Sequence, residues 1–138
     1  MRHSASFMLT ACLLMASCPA RAEDPSSGNC GDLPTGSEQK QCAEIQYRKT
    51  ADELKEVFGR VLERASKADI RNPPSTNEKS WTVAVTESQR AWETYRDAEC
   101  RGIVGRGGGS GRLVWVLGCL AEKAKARTKE LNVPYDQR

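Results

Sequence analysis

Residues 88–100, SQRAWETYRDAEC, carry two large aromatics, a dense charge pattern and a cysteine in thirteen positions. Read as a helix, the stretch sets Ala91, Trp92 and Tyr95 on or beside one stripe, which Trp81 and Val85 continue upstream at spacings of three, four or seven. Arg90 with Glu93, and Arg96 with Glu99, are then neighbours three apart on the outer surface. The pattern is that of an amphipathic core helix with a solvated charged face. Its ending is more specific: Cys100 arrives as a glycine-rich segment begins, and Cys119 stands on the far side.

Outward toward the N-terminus, the chain opens with Arg2 and His3, an apolar run from Phe7 to Ser17, and the small residues Ala20 and Ala22 flanking Arg21. That is the pattern of a cleaved export signal over residues 1–22. The apolar run is well short of the roughly 20 residues a spanning helix needs, so no transmembrane segment is expected. Met15-Ala-Ser-Cys18 approaches a lipoprotein cleavage box, with Met where Leu is usual, so lipidation at Cys18 is the alternative to simple cleavage. Setting 22 residues aside leaves 116 of the 138, one small domain. The removed segment holds Arg2 and Arg21 and no carboxylate, so 21 Lys and Arg fall to 19 against 18 Asp and Glu. Such a balance does not suggest a nucleic-acid groove. The single histidine, His3, leaves too, so the mature chain has no Ser-His or Cys-His pair and no histidine metal ligand.

Cys30, Cys42, Cys100 and Cys119 remain, an even set in a small exported chain, and read as two disulfides with three possible connectivities. Cys30 with Cys42 and Cys100 with Cys119 are the expected pairs, because each flanks a local turn. A zinc site is the rival, but neither pair has the close spacing of structural zinc ligands, and no metal or cofactor is expected.

Residues 23–34, rich in Pro, Ser, Gly and Asp, read as an irregular arm held at Cys30. Thr35-Gly-Ser-Glu38 is a capping box that opens a first helix, whose stripe of Tyr47, Ala51, Leu54, Phe58, Val61 and Ala65 runs at spacings of four and three. Gly59 inside it suggests close approach by another helix, and Asn72-Pro-Pro74 ends it. Ser75 to Glu78 is a second capping pattern, with Trp81 beginning the buried face of the second helix. Arg101 to Arg112, RGIVGRGGGSGR, reads as a flexible turn made positive by Arg101, Arg106 and Arg112. A third helix follows, from about Ser110 or Gly111 to Leu131, with Leu113, Val116, Leu117, Leu120, Ala124 and Leu131 on one side; Leu113–Leu117 also fits a short strand. The fold class is all-α: a three-helix antiparallel domain over residues 35–133 stapled by two disulfides, with 134–138 as a tail. A bond between Cys100 and Cys119 would set Trp92 opposite Arg127 and Gln89 opposite Glu130, with the Arg127 guanidinium against the Trp92 ring.

For chemistry, the glycine run lacks a preceding buried strand and a closing Lys followed by Ser or Thr, so it is no phosphate loop. Glu93 and Asp97 share a helix face without enclosing a cleft, which places glycosidic chemistry behind a binding role. Asp97, in the last turn of its helix, opposes the dipole and calls for a partner such as backbone amides of the glycine loop or the start of the third helix near Ser110.

Gln89-Arg-Ala-Trp92, Tyr95-Arg-Asp-Ala-Glu-Cys100, Gly109-Ser110, Gly118-Cys-Leu120 and Arg127-Thr-Lys-Glu-Leu131, after the early pair Cys30 and Cys42, resemble the lysozyme inhibitor LprI N-terminal-like family of small exported bacterial proteins. The resemblance covers nearly the whole mature chain. The sequence departs from the family pattern in its long glycine run before Ser110 and in Ala121 and Ala124, where threonines are common. The resemblance implies an all-helical periplasmic or secreted domain, no enzyme, that binds a protein partner, lysozyme or another cell-wall hydrolase. Gln89, Trp92, Tyr95, Arg96, Asp97, Ser110, Leu120 and Arg127 are the pattern residues, more structural signature than contact site. Other readings are an immunity or accessory factor for another envelope-targeted toxin, and a carboxylate-based hydrolase. A lysozyme is cationic, so an inhibitor is expected to offer it acidic groups.

Cleavage after Ala22 predicts that N-terminal sequencing of the exported protein reads Glu23-Asp24-Pro25; a heavier chain that begins at Cys18 and partitions into membrane is the outcome that shows lipidation instead.

Overall fold

Thr35 starts the first helix by the reciprocal exchange its sequence announces: the Glu38 amide donates to Thr35 Oγ1 at 3.2 Å and the Thr35 amide donates to Glu38 Oε2 at 3.1 Å. In the computed structural model, which describes residues 29–133, this helix, α1, runs Gly36–Arg71, followed by α2 (Trp81–Asp97) and α3 (Arg112–Asn132). The expected export signal, Cys18, residues 23–28 and the tail 134–138 lie outside the described residues. At 36 residues α1 is about 54 Å long and forms the spine along which the two shorter helices lie. Both expected disulfides are present, Cys30–Cys42 and Cys100–Cys119, each with Cα atoms 5.6 Å apart.

The core follows α1 from end to end. Leu54, Val57, Val61 and Ala65 pack with Val85 of α2 and with Ala124 and Leu131 of α3. Nearer the N-terminal end of α1, Cys30, Cys42 and Ala43 meet Leu117, while Cys100, Val116 and Leu120 form a third cluster. Early residues of α1 thus meet early residues of α3 and late meet late, so these two run parallel and pack directly on each other, while α2 runs antiparallel alongside them, an up-down-up order. The buried line of α1 passes through Thr50 and Val57, with Tyr47, Ala51 and Phe58 half-buried beside it. Thr50 is tolerated inside because its hydroxyl donates to the carbonyls of Gln46 and Tyr47.

Several expectations are corrected. The arm contains a 3-10 turn at Cys30–Asp32, capped by Asn29 and held as well by Gln39, whose amide donates to the carbonyls of Gly31 and Leu33. Gly59 is exposed and would meet nothing within 4 Å if it carried a Cβ, so no helix approaches it. Ser75 and Glu78 close a turn, not the second helix. That helix starts five residues later, where Ser80 accepts from the Val83 amide. Asp69 of α1 completes the cap by accepting from the amides of Trp81 and Thr82 at 2.7 and 3.0 Å and from the Thr82 hydroxyl at 2.7 Å. With its amides taken by a carboxylate from another helix, Trp81 sits at the rim and is 52% exposed, outside the buried face. Ala91 and Tyr95 are exposed too, and the inward line of α2 is Val85, Gln89, Trp92 and Arg96. Leu113 is exposed, and Leu113–Leu117 is helical.

The largest difference lies after Cys100. The chain does not enter a turn there but continues as a π-helical turn over Ala98–Ile103 and a 3-10 turn over Val104–Arg106. Gly102 and Gly105 disfavour helix by about 1 kcal/mol each relative to Ala. Tertiary contact overrides that preference: Cys100 is fully buried and bonded to α3, and Gly105 lies so close to Val116 that an added Cβ would sit 3.4 Å from it. Only residues 107–111 form an open loop, with Gly109 at φ 96°.

The hydrogen bonds from Thr82 and Trp81 hold the Asp69 carboxyl below its ordinary pKa. A depressed carboxylate contributes stability above the unfolded value of about 3.9 and loses it as pH falls through the folded value. Asp69→Asn is therefore expected to lower Tm at pH 6 to 7, with the gap to wild type closing as the pH falls through the depressed folded value; a pH-independent gap in thermal melts contradicts this cap.

Candidate partner-binding surface

Most of the family-pattern residues meet along the α2–α3 seam. Arg127 of α3 is buried, and its Nε donates to Gln89 Oε1 at 3.2 Å and its Nη2 to Ser88 Oγ at 3.1 Å, while Nη1 pairs with Glu130 at 2.9 Å. Its guanidinium carbon lies 5.9 Å from the Trp92 ring centroid, and that of Arg96 lies 5.1 Å from it. One indole thus has two weakly hydrated guanidinium cations within cation–π range. The expected Arg127–Trp92 contact is present. Gln89, however, faces Arg127 rather than Glu130, because the guanidinium reaches past its own level to satisfy a buried amide whose other end donates to Glu93 at 3.2 Å.

One turn nearer the disulfide, Lys123 Nζ donates to the Tyr95 hydroxyl at 2.8 Å, pairs with Glu99 at 2.8 Å and lies 4.8 Å from the Tyr95 ring centroid. Glu99 is drawn to α3 in this way instead of to Arg96. The Lys123 hydrogen bond, then that of Tyr95, holds the Glu99 carboxyl below its usual range, and Glu99, then Tyr95, raises the Lys123 ammonium above its ordinary value. Arg96 turns to Asp97, donating through Nε at 2.8 Å. Asp97 is accordingly compensated by arginines, Arg96 and at 3.9 Å Arg101, and not by glycine-loop amides or the start of α3. Leu120 is sealed beside Cys100. Ser110 is the pattern residue set apart, exposed on the loop.

The seam is thus largely occupied with itself. Gln89, Arg96 and Arg127 spend their polar groups on one another and on their neighbours, with the Trp92 ring beside both guanidiniums, which suits holding two helices in register better than meeting a partner. Glu93 and Asp97 do not converge: the groove of about 160 Å³ beside Glu93 is lined by Tyr47, Phe58, Gln89 and Arg96 among others, and Asp97 is not part of it. Among the described residues no group of three or more His, Cys, Asp or Glu side chains is placed to hold a metal ion.

Exposed surface of another kind gathers where the chain passes from α2 to α3. Ile103 is 70% and Trp115 54% exposed, and Leu113 is exposed between them in sequence. The Trp115 ring lies against the glycine loop; a Cβ on Gly107 would come within 2.9 Å of it, so a side chain there would have to displace the ring. On its other side Trp115 borders an open groove of about 860 Å³ shared with Gly31, Gln39, Val114, Gly118 and Lys125. Trp115 carries no weight in a stripe reading because it falls beside the line of Val116, Leu117 and Leu120. That is the available signal: a large aromatic on the outward face of an amphipathic helix.

Residues 30–131 match the family model described as Lysozyme inhibitor LprI. The chain is also similar to an uncharacterized protein of Rhizobium meliloti (strain 1021), 31% identical over 123 residues that cover 87% of each chain. No solved structure matches.

Because Arg127 is the hub of the seam, Arg127→Ala is expected to destabilise the fold by about 2 to 3 kcal/mol, leaving the Gln89 amide oxygen buried without its donor. Arg127→Lys should recover less than half, since a single ammonium cannot span Gln89, Ser88 and Glu130 as the guanidinium fork does. Urea melts of the two variants measure this, and equal stabilities of Ala and Lys would contradict a guanidinium-specific role.

Proposed function

The chain belongs to the LprI family of lysozyme inhibitors, and from that premise we propose that it is an exported binding protein which inhibits a cell-wall hydrolase by stoichiometric association, with no catalysis of its own. The observation that carries the reading is the match over residues 30–131, which takes in all three helices and both disulfides, so that what is shared is the whole folded unit. The chemistry of the chain agrees with it. Two disulfides belong to an oxidising compartment such as the periplasm or the medium. The charged seam residues are paired with one another, while the glycine-loop end offers aromatic, aliphatic and arginine side chains, a composition suited to protein contact. Lysozyme is the first partner to try, because the family takes its name from that activity.

Titrating purified lysozyme with the oxidised protein is expected to abolish turnover of labelled peptidoglycan at a fixed molar ratio. Activity that persists at large excess, for lysozyme and for a panel of other peptidoglycan hydrolases, contradicts the reading; turnover of peptidoglycan by the protein alone would make it an enzyme.

A further inference from the structure

We propose that the glycine loop between Cys100 and Cys119 enters the substrate cleft of the inhibited glycosidase, with Arg106 and Arg112 meeting the carboxylates of that cleft and Trp115 anchoring its rim. The inference rests on the reading of the protein as an inhibitor and adds the surface and the chemistry of contact. Residues 100–121 contain Arg101, Arg106 and Arg112 and no carboxylate, in a chain whose charges are otherwise nearly balanced. Arg101 lies 3.9 Å from Asp97. Arg106 donates through Nε to the Gly102 carbonyl, and no carboxylate among the described residues lies within salt-bridge distance of Arg106 or Arg112, which are both exposed. Two guanidiniums on one short segment are therefore available to outside carboxylates.

A glycosidase that cleaves between two carboxyl groups must keep them at the floor of a cleft, roughly 5 to 10 Å apart. Four features of the loop fit such a target. Its tip, Gly107-Gly-Gly-Ser-Gly111, carries one small side chain and is narrow. The Cys100–Cys119 bond closes its base, so less freedom is lost on insertion. Guanidinium groups take carboxylates in a bidentate fork. Trp115, half exposed beside the loop and touching it at Gly107 and Gly111, is the residue type that most often anchors an interface. A cationic enzyme does not prevent this approach: beyond about 8 Å its surface charge is screened, whereas carboxylates at the cleft floor are met at contact distance. The expectation of acidic groups on an inhibitor applies to the enzyme's outer surface, and the loop addresses its interior.

The test uses full-length protein exported and oxidised in its host, with purified lysozyme and labelled peptidoglycan. Arg106→Glu with Arg112→Glu is expected to raise the inhibition constant at least a hundredfold, about tenfold for each arginine alone, with Tm unchanged because both side chains are exposed. Arg64→Glu, on an exposed face toward the far end of α1, should change it less than twofold. A chitin trisaccharide that fills the cleft should compete with the wild-type protein. Wild-type inhibition that survives the double substitution, falls equally with Arg64→Glu, or is indifferent to the trisaccharide overturns the loop assignment and leaves the inhibitor reading standing. Wild-type protein that inhibits only non-glycosidase peptidoglycan hydrolases also overturns the loop assignment alone, and one that inhibits no peptidoglycan hydrolase overturns both.

Discussion

The bond between Cys100 and Cys119 ties the π-helical continuation of α2 to the third turn of α3, with Cys100 fully buried and Val116 and Leu120 packed against it. Closing a loop of this length constrains the unfolded chain by about 3 kcal/mol in the chain-entropy view, a large part of the margin of a small domain. Its geometric effect is broader than its energetic one. Once those two positions are joined, antiparallel geometry brings Tyr95 and Glu99 to Lys123, and Trp92 and Gln89 to Arg127. The polar seam depends on that register, because a slip of one helical turn would strand the buried Arg127 and Gln89 without partners.

Hydrophobic burial has a different axis. It follows α1, which supplies Leu54, Val57, Val61 and Ala65 to a cluster completed by Ala124 and Leu131 of α3, while α2 contributes Val85 and half-buried Trp92. The second helix is therefore held less by apolar area than by specific pairs: Asp69 at its start, Arg127 in its middle and the disulfide just beyond its end. Such pairs are directional, so they fix where α2 sits even though they add little burial. This division accounts for the amide of Gln89 and the guanidinium of Arg96 on the inward line of α2.

The two ends of the bundle are finished differently. Where α1 passes to α2, Asp69 takes up the free amides of Trp81 and Thr82 and the chain turns through Pro73 and Pro74, a stiff closure. Where α2 passes to α3, the connection is longer, rich in glycine and arginine, and leaves Ile103 and Trp115 in solvent. Exposed aromatic and aliphatic groups cost solubility unless something covers them at work. The binding role proposed for this end is consistent with a seam whose charged groups are paired among themselves.

Much of the fold was legible in the residues. The Thr35–Glu38 box, the stop at Asn72-Pro-Pro74 and the apolar period of α1 act over a few positions of one chain segment, so the sequence specifies them directly. The paired cysteines likewise yielded the register and, through it, the Arg127–Trp92 contact. What stayed hidden depends on groups far apart in sequence: Asp69 moves the start of α2 from Ser75 to Ser80, Lys123 draws Glu99 away from Arg96, and the packing of Gly105 on Val116 keeps helical a stretch whose composition says turn. Periodicity could say that α2 has an inward face. Only the packed structure decided that Gln89 and Arg96 would join Val85 and Trp92 on that face in place of Trp81, Ala91 and Tyr95, because a buried guanidinium and a carboxylate from other helices set the rotation that apolar spacing alone leaves open.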